Sequence, residues 1–60
     1  MNLHESMAKR VGEAFLANPN LESRRIRAAK DAALILQTSD PDLAAEIREK
    51  LEELYKEHLQ

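Results

Sequence analysis

The chain has no cysteine and no tryptophan, a single glycine, two prolines and only two aromatic residues, Phe15 and Tyr55. Without cysteine there is neither a thiol nucleophile nor a disulfide, and the redox compartment stays open. Histidine is scarce, so a hydroxyl nucleophile would find few bases. No excess of positive charge is present: nine Lys and Arg stand against eleven Asp and Glu, a net charge of −2. That balance excludes a chain built mainly to hold phosphate backbones. No long apolar run occurs either. The longest, Ala32 to Leu36, is far shorter than a membrane span, and the N-terminus lacks the basic region and apolar stretch of a secretion signal. The expectation is a soluble chain with no signal peptide and no transmembrane segment, its compartment unspecified.

What is present suffices for a core. Sixty residues, 43% of them apolar and 33% charged, make one domain over 1–60. A chain this short buries only about 60% of the surface its unfolded form exposes, so its elements must be well specified.

Both prolines fall where one helical pattern stops and another starts, in Asn18-Pro19-Asn20 and Ser39-Asp40-Pro41-Asp42. Asn2 with Glu5 three residues on has the form of a capping box, and Asn18-Pro19 ends the segment it opens. Asn20 is placed to cap a second segment, with Glu22 in its first turn. Asp40 is placed to cap a third, whose first position is Pro41. The spacing predicts helices over about 3–17, 21–37 and 41–58. Short connections make sequential neighbours antiparallel, so the expected fold is all-α, an up-down-up three-helix bundle.

Hydrophobic periodicity assigns an inward face to each helix. On the third it comprises Leu43, Ile47, Leu51, Leu54 and His58, with Ala44 and Tyr55 at the edge. On the first it runs through Leu3, Met7, Val11 and Ala14. On the second it includes Ile26, Ala29, Ala32, Ala33 and Leu36, with Arg25 inside the arc and Ala28 and Ile35 at one edge.

Catalytic chemistry finds little material. His4 and His58 open the first helix and close the third, roughly 20 Å apart at opposite ends of parallel helices. Neither has a histidine or carboxylate four residues away, as a helical zinc site requires. The expectation is a chain that is not an enzyme and takes no metal or cofactor. His58 is expected at the edge of the core, favoured by the helix C-terminus. Arg24, Arg25, Arg27 and Lys30 give the second segment a charge of +2, whereas the segment from Ser39 onward carries −4. These cations spread around the helix and no aromatic side chains interleave with them for base stacking, so nucleic acid is not the expected partner. Glu46 with Lys50 and Glu52 with Lys56 are ordinary pairings of an exposed face.

The first two helices break local rules that the third obeys, and such departures attract attention as functional positions. Gly12 is the clearest, because an interior helical glycine costs about 1 kcal/mol relative to alanine. Ala8, Gly12, Phe15 and Leu16 form a strip off the assigned inward face. On the second helix Leu34 lies outside the core arc and Ile35 at its edge, with Arg27 and Asp31 on the same outer side. These eight residues are the candidate partner-binding set. Two other readings remain at this point. Ala8 and Gly12 can serve close packing inside the bundle with Phe15 in the core, or the patch can be a homodimer face.

Taken whole, the chain resembles computationally designed three-helix miniprotein binders. The resemblance rests on idealised capping at Asn2-Leu3-His4-Glu5 and Ser39-Asp40-Pro41-Asp42, minimal loops, and a Glu/Lys-patterned third helix from Ala44 to Leu54. It implies a monomer whose first two helices present a face to a folded target, such as a receptor or a pathogen surface protein, and block it, while the third supports them. Asn18-Pro19-Asn20-Leu21 and Asp40-Pro41 also look similar to the connections of the immunoglobulin-binding domains of staphylococcal protein A. The aromatic and glutamine residues with which that family contacts antibody are missing here, so its binding is not implied. Finally, Ala8 to Phe15 resembles the short helix by which pro-apoptotic proteins enter the groove of their relatives, with Ala8 in place of the leucine anchor and Glu13 in place of the aspartate.

Overall fold

Proline and the residue before it set the corners of the chain. The computed structural model describes residues 3–59, and the side chains of 3–58. Three α-helices, α1 (Leu3–Ala17), α2 (Ser23–Ser39) and α3 (Pro41–Leu59), pack in an all-α three-helix bundle, each helix touching both others. The bundle measures 39 × 19 × 16 Å.

The bounds of α1 are those the spacing predicts; the capping role of Asn2 lies outside the described residues. The amide of Asn18 still donates to the carbonyl of Ala14 at 3.1 Å, and Pro19 then stops the ladder. α2 begins two residues later than expected. The side chain of Asn20 does not cap it but accepts the amide of Glu22 at 2.7 Å, a local turn that holds Leu21 and Glu22 outside the helix. Glu22 has extended backbone, ψ 132°, and is the residue from which α2 departs.

α2 also runs two residues further than expected, because the amide of Asp40 donates to Leu36 at 2.8 Å. Asp40 itself cannot be helical, since the ring of Pro41 disfavours that conformation in the preceding residue, and its φ and ψ are −147° and 71°. Its carboxylate then accepts the amide of Leu43 at 3.3 Å, and its carbonyl accepts that of Ala44. One residue therefore ends α2 and caps α3, as the Asp40-Pro41 pair predicts.

The core is made of Ala8, Phe15, Ala29, Ala32, Ala33, Leu36, Ala44, Ile47 and Leu51, with Leu16, Ile26, Ile35, Leu43 and Leu54 packed against it. On α2 the buried residues lie on the expected face, although Arg25 is exposed rather than inside it. On α3, Ala44 belongs to the core and not to its edge, while His58 is exposed in the last helical turn beside solvent. Lys50 pairs with Glu53 at 3.0 Å, one turn on from the Glu46 pairing expected.

α1 is rotated relative to the sequence reading. Leu3 and Met7, assigned to the core, are 77% and 57% exposed; Val11 is 37% exposed, and Ala14 is open as well. Ala8, Gly12 and Phe15, assigned to an outer strip, are buried. The physical reason is separation between helices. Ala8 shares a depression with Ala32 of α2 and Gly12 faces Ile47 of α3, so α1 approaches both neighbours closely at these two small residues, while Phe15 fills the core. Met7 and Val11 would hold the helices apart.

Candidate functional site

With α1 turned this way, Met7 and Val11 face outward beside the edge of α2. Met7 and Val11 border a depression of about 240 Å³ with His4, Ala8, Ala28, Asp31, Ala32 and Ile35. A second depression of about 200 Å³ continues from it, lined by Val11, Ala14, Phe15, Arg25 and Ala28. Because Val11 and Ala28 belong to both, the two form one groove along the α1/α2 face. Its walls are largely aliphatic, with Asp31 and His4 toward one end and Arg25 toward the other. Arg25 reaches Glu22 at 3.9 Å, and both side chains are more than half exposed, so little energy is tied up in that pair.

The candidate residues divide into three places. Ala8, Gly12 and Phe15 belong to the interior: Phe15 is 3% exposed, and Gly12 faces Ile47 of α3. No partner reaches most of their surface in the folded bundle. Leu16 is half-buried against the core. Ile35 and Asp31 lie in the α1/α2 groove. Arg27 and Leu34 stay exposed on the other side of α2, lining a shallow surface with Ser23, Ile26, Lys30, Asp31 and Tyr55. There the Lys30 ammonium sits 5.4 Å above the centre of the Tyr55 ring.

The resemblance of Ala8–Phe15 to the pro-apoptotic helix does not survive this placement, because Ala8, Gly12 and Phe15 are covered by α2 and α3. Sequence reasoning missed Met7, Val11 and Ala14 as surface residues. The signal that identifies them is the small pair Ala8 and Gly12, which permits close approach on that side of α1 and carries Phe15 into the core with it.

Among the described residues no three His, Asp or Glu gather as a metal would require, and no helix is long and apolar enough to cross a membrane. Compared with protein-family models, curated proteins and solved structures, the chain matches none.

Proposed function

We propose that the chain is a non-catalytic protein-binding module that docks rigidly on a folded target protein through the outward face of α1 and α2. The observation that supports this reading is the apolar stripe Leu3, Met7, Val11 and Ala14, exposed along a full helix and continued by Ala28 and Ile35 across the groove. Large contiguous apolar surface on a small protein is unfavourable in water and is typical of interaction sites. In this reading Met7 and Val11 are the anchors, Ala14 and Ala28 let the target approach the helix backbones, and Arg25 and Asp31 supply polar rim contacts. The role first assigned to Phe15, Leu16 and Leu34 passes to these residues.

Preorganisation is the energetic basis. Both helices are formed and braced by α3 before the target arrives, so binding orders few side chains and little of the contact energy is spent on ordering. The division of labour matches the resemblance to designed miniprotein binders, and the origin we infer for the chain is design. No role for nucleic acid, membrane, metal or cofactor enters the mechanism.

The test is an array of purified folded receptor ectodomains and pathogen surface proteins, probed with the wild-type chain and with Val11→Glu. A target retained by the wild type and lost with Val11→Glu supports the reading. Targets retained equally by both, or none at all, overturn it.

A further inference from the structure

The groove between α1 and α2 has a floor of small residues and few hydrogen-bonding groups. It extends from His4 to Ala14 along α1, about 15 Å at a rise of 1.5 Å per residue. Buried Ala8 and Ala32 and half-buried Ala28 form the floor, and Met7 and Val11 stand exposed on the α1 side. Its polar side chains are His4 and Asp31 toward one end and Arg25 toward the other; the rest of the lining is Met, Val, Ala, Ile and Phe. From Met7 to Ala14 and from Ala28 to Ile35 the lining residues lie inside helices, whose ladders already use their amides and carbonyls. An extended segment laid along this groove would bury its own amides and carbonyls against alkyl groups, with nothing to pair them. A helix closes its backbone hydrogen bonds internally and offers only side chains to the groove. The alanine floor also lets a helix axis come close.

We infer that the segment of the target that this face takes is an apolar α-helix of about three turns, lying along the groove parallel to α1. The inference rests on the reading of the α1/α2 face as the docking surface and names what occupies it. Direction follows from charge. Asp31 at one end favours the positive N-terminus of a helix and Arg25 at the other favours the negative C-terminus, which orients the occupant from the His4 end toward the Ala14 end. Arg25 is engaged only by its long, exposed contact with Glu22, so it is available to the newcomer. A basic side chain in the first half of the occupant meets Asp31, and an acidic one in its second half meets Arg25.

Display selection on the full chain tests this with two peptide libraries of equal diversity. One randomises a single face of an alanine-based helix of about 15 residues, and the other the same number of consecutive positions in an unstructured linear peptide. The helical library should yield binders whose affinity falls by about tenfold or more with Val11→Glu. Basic residues should be enriched in their first half and acidic ones in their second. Selection on Arg25→Glu should change the second-half enrichment from acidic to basic. Circular dichroism confirms that each variant remains helical. Binders drawn mainly from the linear library, no binders from either, helical binders indifferent to Val11→Glu, or charges enriched in the opposite order overturn the inference. The array judges the docking reading separately. A target captured through Val11 while selection returns only linear peptides removes this inference alone, and helical binders lost with Val11→Glu beside an empty array remove only the folded target.

Discussion

The methyl group that Gly12 lacks would stand 2.6 Å from Cδ1 of Ile47 and 3.8 Å from Cδ1 of Leu36. Ile47 is fully buried and Leu36 nearly so, so the terminal methyl of Ile47 has to turn within the core to admit a side chain at position 12. The glycine therefore serves the approach of α1 to α3, and its helix-propensity cost is offset by that contact. Gly12→Ala should gain about 1 kcal/mol in propensity and lose about 1–3 kcal/mol to overpacking, a net destabilisation of about 1 kcal/mol. Ile47→Val alone should cost about 1 kcal/mol. The double variant should be more stable than the sum of the singles, because the new methyl fills the space that Cδ1 vacates. Urea unfolding of the four proteins measures the coupling; a Gly12→Ala chain more stable than wild type contradicts the contact.

Phe15 should behave as a core residue. Phe15→Ala is expected to cost about 3–5 kcal/mol, a large share of the stability available to a small domain, and to lower helicity at 25 °C. Circular dichroism reads this directly. A folded Phe15→Ala chain with unchanged melting would return Phe15 to the surface.

The helix count, the span of α1 and the single-residue corner at Asp40 were legible because proline and capping chemistry act locally. The start of α2 was not: the side chain of Asn20 closes a local turn on the amide of Glu22, and the helix departs two residues later than the cap pattern indicates. The orientation of α1 was the main misreading. Leu3, Met7, Val11 and Ala14 form one apolar arc and Ala8, Gly12 and Phe15 form an adjacent one, so hydrophobic periodicity alone favoured the bulkier arc. What decides is a nonlocal quantity, the room that α2 and α3 leave for α1: Ile47 comes so close to Gly12 that the smallest residue is the one placed against it. The candidate site inherited the error: Asp31 and Ile35 of α2 remain in the groove, while the contribution of α1 shifts by one position around the helix, to Met7 and Val11.

Asp40 carries the α2/α3 corner. Asp40→Ala removes the acceptor for the amide of Leu43 and should cost about 1 kcal/mol, whereas Asp40→Asn keeps an acceptor and should cost less. Thermal denaturation of the pair is the check. Equal losses would mean that charge at the helix N-terminus, and not the hydrogen bond, is what matters there.

Leu34 separates the two outer surfaces of α2. At 67% exposure beside Lys30 and Tyr55, it lies away from the α1/α2 groove, so Leu34→Lys should change stability by less than about 0.5 kcal/mol. It should also leave target capture intact. Loss of capture in the array experiment would move the docking surface to the α2/α3 side.

The central claim is that Met7 and Val11 are surface residues kept for docking and not members of the core. Urea unfolding of Met7→Glu/Val11→Glu tests it most directly. On these exposed positions two carboxylates should leave the unfolding free energy within about 1 kcal/mol of wild type. A loss of several kcal/mol, as buried charges without partners would cause, would show that this stripe holds the bundle together and contradict the account.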